Sequence, residues 1–288
     1  MSKVFSLRHS PDAGSAGGHI IWMDFAKSMA IFLVVLLHVH CSEPVDRAIN
    51  GFIMPLFFTL SGYLFSFERN PSFGKFAMKR FRQLVVPYLW INLIAWVAWV
   101  AVLRHYGSNS GDTAPWHQPL LGALAGIPPL LSHAIPLWSL LSFYVVEIAF
   151  YSLRRLQETA VAALAWGGSL ALTLICGQAM EWFPLALSPS VCGLGFYALG
   201  HLWRRRLPTR VPGVAATVVA LAIGAAAIAA NGRVEFYLCR YGGDFALFLI
   251  GSAAGSVAAV GVARLIARPF ACGTPRLIRF ISRGTLLI

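Results

Sequence analysis

The feature that most constrains the fold is a series of long stretches without Asp, Glu, Lys or Arg. Nearly all of them approach or exceed the roughly 18–20 residues that a helix needs to cross about 30 Å of hydrocarbon. They show no period-two alternation of the kind a membrane β-barrel requires, so each is predicted to be a helix. The eight predicted spans are residues 20–41, 49–67, 84–104, 135–153, 159–177, 183–203, 211–231 and 244–264.

Composition excludes the soluble alternatives. Hydrophobic residues make up 58% of the chain and charged residues only 12%, whereas a soluble domain is about 45–50% apolar and about 25% charged. So few charges cannot cover the surface of a soluble globule, and so much apolar surface is unlike a disordered chain. We therefore predict an all-α, polytopic integral membrane helix bundle.

Basic residues are distributed unevenly between the two sides of these spans. With a cytoplasmic N-terminus, eighteen of the 23 Lys and Arg residues fall in inner segments and four in outer segments, which is the positive-inside pattern. An additional span near residues 115–133 would place the cluster at 204–206 outside, so residues 105–134 are predicted to form an outer loop that could re-enter the bilayer. The net charge of +12 then reflects topology and contact with anionic lipid, not a nucleic-acid partner.

The N-terminal segment does not resemble a signal peptide, and the cysteines do not form a recognisable motif. Residues 1–19 lack the apolar core and cleavage site of a signal peptide. We expect a flexible cytoplasmic tail there, followed by a membrane domain over residues 20–288. The five cysteines occur singly and include no CxxC pair, which supports neither a metal site nor a disulfide framework.

Ionisable side chains occur inside the first span, where they are functional candidates because charge is costly in a bilayer. Asp24 and Lys27 are neighbours on one helical face and can pair. Lys27 and His38 are eleven residues apart, which places them on the same face and roughly 16 Å apart along the axis. The alternative reading is an interfacial ion pair, with His38 simply marking the outer end of the span.

Polar residues also mark the second predicted span and the segment after it. Ser61 and Gly62 let another helix approach closely and supply a hydroxyl for an interhelical hydrogen bond, although plain packing is the favoured reading of the pair taken alone. A basic cluster then precedes the third span. Such a cluster either anchors the chain to lipid phosphates or holds a phosphorylated ligand from the cytoplasm, and composition does not separate the two. Its members are Lys75, Lys79, Arg80 and Arg82.

Three motifs follow one another in the first third of the chain. The first is Lys27, ten intervening residues and His38; the second is MPLFFTLSGYLF at residues 54–65. The third is the basic pair Lys79-Arg80 ahead of Pro87, and weaker matches follow in PLWSLLSFYVVEI and GLGFYALGHLWRR. In this order and spacing the motifs resemble the acyltransferase family 3 membrane proteins, particularly the branch similar to fucose 4-O-acetylases.

The chain departs from that family in three places. Ile53 stands where this branch often has a histidine, and Trp138-Ser139-Leu140 replaces the usual Trp-Phe-Leu. Family members usually have ten spans, against the eight predicted here. The sequence ends at Ile288, where a ninth span would begin, so it is expected to be cut short relative to the family.

The resemblance implies a membrane O-acyltransferase of the bacterial inner membrane, without a permanently bound cofactor or metal. Such an enzyme moves an acetyl group from acetyl-CoA to a hydroxyl of a cell-envelope glycan or a lipid-linked sugar. His38 would act as general base or carry the acyl group transiently, while Lys27, oriented by Asp24, would stabilise the thioester oxygen or contact CoA. The expected ligands of the CoA phosphates are Lys79, Arg80 and Arg82. The residues expected to line or pack the cavity are Ser61, Gly62, Tyr63, Trp138 and Glu147, the last as a partner of Lys27 or of an arginine.

Two other classes of function fit the same polar residues. A transporter or flippase would use the intramembrane Asp, Lys and His side chains as a proton or substrate path. Transporters usually contain internal repeats, however, and the Lys27-to-His38 pattern occurs once. A non-catalytic membrane subunit is the third possibility. Turnover of acetyl-CoA separates the three, because only the enzyme consumes the thioester.

Overall fold

The computed structural model describes residues 20–39, 41–106, 115–131, 135–153, 158–176, 182–207, 211–270 and 273–284. The predicted tail over residues 1–19 and the final residues 285–288 lie outside this set. Within it the chain is helical, with one isolated antiparallel bridge between Glu235 and Arg240. The described α-helices are α1 (Ile21–Leu37), α2 (Glu43–Asn50), α3 (Ile53–Leu64), α4 (Phe73–Arg80), α5 (Val86–Ala98), α6 (Gln118–Ala125), α7 (Trp138–Ser152), α8 (Glu158–Cys176), α9 (Leu187–Arg206), α10 (Val214–Asn231), α11 (Phe245–Ala267) and α12 (Arg276–Gly284).

The predicted all-α membrane bundle is confirmed, since each of the eight predicted spans contains a helix. Three helices of the described part are both long and apolar enough to cross a bilayer: Phe73–Leu103, Val214–Asn231 and Phe245–Phe270. Large apolar side chains point outward from them, for example Ile94, which is 65% exposed, and Val218, which is 60% exposed. Because soluble proteins rarely expose contiguous apolar surface of this kind, these faces are the ones that contact lipid.

Contacts between helix ends show that successive spans alternate in direction. Near the start of α1, the Trp22 ring stacks on Trp203 at the end of α9, with ring centroids 6.5 Å apart. Arg204 donates a hydrogen bond to the Tyr63 carbonyl at the end of α3 (3.1 Å). The end of α11 reaches the same region, where Phe270 stacks on Phe25 at a centroid distance of 5.3 Å. We name this the basic end of the bundle.

The opposite ends of the same helices also meet. His38 after α1, Asp46 on α2, Pro136 before α7 and Arg233 after α10 line one cavity. We name this the cavity end. The described segments that meet at each of these two ends were predicted from charge to share a side, as alternating spans require.

The second predicted span, residues 49–67, is divided in the structure. Helix α2 ends at Asn50, and after a turn at Gly51 and Phe52 the helix α3 begins at Ile53. Pro55 lies in the first turn of α3, where a missing N–H costs nothing, so it favours a helix start at this point. With 12 residues, α3 is about 18 Å long, well short of the hydrocarbon thickness.

The predicted outer loop contains the short helix α6. Eight residues long, it extends about 12 Å and cannot cross a bilayer, so residues 115–131, the described part of this loop, contain no additional span. The Tyr88 hydroxyl donates to the Ala123 carbonyl (2.7 Å), and the Trp96 indole donates to the Trp116 carbonyl (2.8 Å). These bonds hold α6 along the outer half of the helix Phe73–Leu103.

Helices α3 and α9 cross at two glycines, as the Ser61-Gly62 pair predicts. A Cβ atom on Gly62 would lie 1.9 Å from the Tyr197 carbonyl oxygen, and one on Gly200 would lie 1.9 Å from the Thr59 carbonyl oxygen. The two backbones are thus in direct contact, which only residues without a side chain permit. This crossing fixes the half of α3 nearer the basic end against α9.

Candidate active site at the cavity end

His38 closes the last turn of α1 with its side chain. Its backbone N–H donates to the Val35 carbonyl (3.0 Å), which leaves the Val34 carbonyl among the unsatisfied groups of the helix end. The imidazole Nδ1 lies 2.7 Å from that Val34 oxygen. Since a carbonyl only accepts hydrogen bonds, Nδ1 carries the proton, and Nε2 of the neutral ring keeps a free lone pair. A general base needs such a lone pair.

The same histidine lines a cavity of about 450 Å³. This volume lies within the range of small-molecule sites, which are mostly apolar with a few polar groups that orient the ligand. We name the buried aromatic lining residues the floor and the more exposed polar lining residues the rim. The floor includes Phe57, Phe143 and Phe236, and the rim includes His38, Asp46, Ser139, Arg233 and Glu235.

The connection between α10 and α11 forms one wall of the cavity and is held by side chains. Asn231 donates from Nδ2 to the Tyr241 carbonyl (2.7 Å), and its Oδ1 accepts from the Asp244 N–H (2.9 Å). Glu235 pairs with Arg233 and with Arg240, each at 3.3 Å. The charged groups on this wall are therefore positioned by the loop that carries them.

Trp138 is the predicted cavity residue that the structure places in the cavity wall. It begins α7 and is 6% exposed. Its ring lies nearly parallel to that of Phe236, with centroids 6.0 Å apart, and 6.5 Å from the centroid of Tyr237. Aromatic rings from α7 and from the α10–α11 connection thus join the two sides of the site.

Lys27 lies deeper in the bundle than His38, toward the basic end. It is 3% exposed, and no hydrogen bond or ion pair of its ammonium group is present among the described residues. Asp24 lies close enough to attract it electrostatically, but directs its carboxylate oxygens to the C-terminal segment. They accept hydrogen bonds from Thr274 (3.0 Å) and Ser282 (2.6 Å). Asp24 thereby attaches α12 to α1.

Arg80 and Glu147 form a buried bidentate ion pair. Nε and Nη2 of Arg80 donate to the two carboxylate oxygens of Glu147, and Nη1 donates to Oε1 of Gln83 (3.0 Å). Arg80 is 6% exposed and Glu147 is 2% exposed. Glu147 was predicted to pair with Lys27 or with an arginine, and in the structure its partner is an arginine. The ion pair directs the Arg80 guanidinium into the bundle.

The other basic residues of this cluster point the opposite way. Lys75, Lys79 and Arg82 line a shallow groove at the basic end of the bundle. Their spacing of four and three residues places them on one helical face, whereas Arg80 lies on another. The structure thus separates Arg80 from Lys79 and Arg82, with which it was predicted to bind phosphate.

The remaining predicted residues lie near the crossing of α3 and α9. Ser61 is 5% exposed, and its hydroxyl has no hydrogen-bond partner within the described part of the chain. Gly62 contacts the α9 backbone. The Tyr63 ring lies 5.5 Å from Trp22 and 5.6 Å from Trp203, measured between centroids, with the Arg204 guanidinium 5.8 Å away. These three residues pack the bundle, and the cavity that contains His38 lies elsewhere.

Three charged residues of the cavity, Asp46, Arg233 and Glu235, are absent from the sequence-based predictions. They occur in the predicted outer segments, where each reads as an ordinary loop charge. The only sequence feature that could have pointed to them is their place in the predicted outer segments, where charged residues are scarce. Among the described residues no group of three or more His, Cys, Asp or Glu side chains is arranged to hold a metal ion.

An integral membrane helix bundle with an accessible histidine in an aromatic cavity is the class that this fold and site define. A family model for acyltransferase domains, family 3, matches residues 20–288. The chain belongs to this acyltransferase family, as its motifs indicate.

One curated relative and the solved structures complete the comparison. The chain is 29% identical over 171 residues to the nodulation protein NolL of Sinorhizobium fredii strain NGR234, a match that covers 55% of this chain and 43% of the relative. Less than half of that relative is therefore represented here. No solved structure matches the chain.

Proposed function

We propose that this protein transfers an acetyl group from acetyl-CoA to a hydroxyl of a cell-envelope glycan or lipid-linked sugar at the bacterial inner membrane. The proposal rests on the hydrogen bond that His38 makes and on its position in the cavity lining. Its Nδ1 is occupied by the Val34 carbonyl (2.7 Å), and its ring lines the cavity. Within an acyltransferase family, an imidazole with a free Nε2 beside a ligand-sized cavity is suited to remove the proton of an acceptor hydroxyl.

The proposed reaction is direct transfer. The acceptor oxygen attacks the carbonyl carbon of the thioester, so that a C–O bond forms and the C–S bond breaks. The hydroxyl proton passes to Nε2 of His38 and then to the departing thiolate. The products are an acetyl ester and the free thiol of CoA, and His38 returns to its starting state.

Donor binding is assigned to the basic end. Lys75, Lys79 and Arg82 line the groove there, and several ammonium and guanidinium groups on one face suit the phosphates of CoA. We leave Arg80 out of this proposed role because its guanidinium pairs with Glu147. Lys27 lies on α1 about 16 Å from His38, toward the basic end. We therefore assign it to contact with the donor rather than with the carbonyl at which His38 acts.

The test compares His38→Ala with His117→Ala in membranes that contain the full chain. His117 is an exposed histidine beside Trp116 and does not line the cavity. Transfer of radiolabelled acetyl from acetyl-CoA to envelope glycan should fall about 10²–10⁴-fold for His38→Ala and stay unchanged for His117→Ala. Transfer by His38→Ala within twofold of the wild type, at equal protein level, would exclude His38 as the base.

A second measurement separates direct transfer from transient acylation. The wild-type protein is incubated with labelled acetyl-CoA without acceptor, denatured and separated from small molecules. Direct transfer predicts no label on the protein. Label that His38→Ala abolishes would show instead that the imidazole carries the acetyl group.

A further inference from the structure

The charges that face the cavity do not balance. Arg233 is compensated by Glu235 at 3.3 Å, and Glu235 also pairs with Arg240. Asp46 has no such partner, because no hydrogen bond or ion pair of its carboxylate is present among the described residues. Of the charged side chains that line the cavity, Asp46 and Glu235 are acidic and Arg233 is basic, so the lining carries one net negative charge.

An ionised carboxylate accepts hydrogen bonds and cannot donate them. A ligand beside Asp46 is favoured when it offers a donor such as a hydroxyl. A ligand with its own carboxylate or phosphate is disfavoured, since like charges repel more strongly beside apolar walls than in water. Arg233 does not reverse this preference, because it pairs with Glu235 and the lining as a whole keeps one net negative charge.

The aromatic floor adds a second requirement. Trp138 stacks on Phe236, and Phe57 and Phe143 add to the apolar lining. Such a surface suits a ligand with an extended C–H face, because burial of apolar area is favourable. A sugar ring meets both requirements, since it has an apolar face and a rim of hydroxyl donors.

We propose that the acceptor bound in this cavity is an uncharged sugar, selected against acidic sugars by Asp46, with Trp138 as its stacking surface. This inference rests on the proposed function, which makes the cavity the acceptor site. Asp46 is then a specificity-determining residue: it orients the hydroxyl-bearing ring toward His38 and repels a uronate.

The test measures binding without chemistry. The full chain is placed in nanodiscs of uncharged phosphatidylcholine, so that lipid charge does not affect the ligands, and binding is followed by saturation-transfer NMR. The probes are methyl glucoside and methyl galactoside, each paired with its uronate, which differs only by the carboxylate. The wild type should bind at least one neutral probe about fivefold or more tightly than its uronate.

Asp46→Asn keeps the size of the side chain and removes its charge. Neutral-probe binding should weaken about tenfold, the usual effect of losing a charge-assisted hydrogen bond, and the preference over the uronate should disappear. Trp138→Ala should weaken both members of a pair in equal proportion. The matched control is Glu43→Gln, which removes an exposed carboxylate on the same helix as Asp46, paired with Arg47, and should leave both affinities unchanged.

Any of three results would overturn the inference. They are equal affinity for a neutral probe and its uronate, binding of neither pair of probes, and an unchanged preference for the neutral probe in Asp46→Asn. The acetyl-transfer assay keeps its failure distinct from that of the proposed function. Transfer that depends on His38 but accepts neutral and acidic sugars alike would refute the role of Asp46 alone. A neutral preference in binding, with no consumption of acetyl-CoA, would support the sugar site and refute the enzyme.

Discussion

Removing one partner of the Arg80–Glu147 ion pair should destabilise the protein far more than removing both. Arg80 is 6% exposed and Glu147 2% exposed, so Glu147→Ala leaves a guanidinium buried without a counter-charge. Breaking such a pair costs about 3–5 kcal/mol of unfolding free energy. At about 2–4 °C per kcal/mol for a chain of this order of size, the unfolding midpoint should fall by about 10 °C.

The assay is thermal unfolding in detergent, with Arg80→Met/Glu147→Leu as the second variant. That double variant replaces both charges by apolar side chains of similar length, so it avoids the unpaired charge and should recover most of the lost stability. Glu43→Ala is the matched control, because the Glu43 side chain is 77% exposed in its pair with Arg47. Exposed pairs contribute about 0–1 kcal/mol. A midpoint for Glu147→Ala within about 2 °C of the wild type, or a double variant no more stable than the single one, would refute the reasoning.

Three further outcomes are expected. Gly62→Ala should lower the unfolding midpoint by an amount that corresponds to about 1–3 kcal/mol, because the added Cβ would meet a carbonyl oxygen at 1.9 Å. Gly167 faces open space, so the control Gly167→Ala should not lower the midpoint. Lys79→Gln with Arg82→Gln should raise the KM for acetyl-CoA about tenfold or more and leave membrane insertion unchanged; an unchanged KM would make the groove a lipid anchor. Asp24→Ala removes the acceptor of two hydrogen bonds from the α12 segment, so limited proteolysis should cleave that segment faster than in the wild type. Equal cleavage rates would contradict the attachment of α12 to α1 by Asp24.

The bundle and the alternation of its helices were predictable from the sequence because they follow from the cost of burying charge. Runs without charged residues can lie in lipid, and clusters such as Arg204–Arg206 must lie outside it. The stripe that joins Lys27 and His38 was also predictable, since the geometry of a helix fixes which residues share a face. The division of residues 49–67 into α2 and α3 was missed, because a turn between two apolar helices leaves the hydropathy unchanged.

Partners of the ionisable residues were not predictable, because they come from distant parts of the chain. Asp24 lies beside Lys27 in sequence, yet its carboxylate accepts hydrogen bonds from Thr274 and Ser282, about 250 residues later. Glu147 could have paired with any nearby cation, and only helix packing brings it to Arg80. The spacing of residues along one helix does not indicate which side chains of another helix will contact them.

The sequence by itself determined that this chain is a membrane helix bundle, which ends of its helices meet, and that Lys27 and His38 share a face. These properties depend on hydropathy and helical period, which are local. Only the tertiary structure decided that the cavity contains His38, Trp138 and Asp46 together, and that Arg80 faces the bundle while Lys79 faces the groove. Those properties depend on how helices α1, α2, α7 and the α10–α11 connection pack, and packing joins residues whose separation along the chain carries no information about their distance in space.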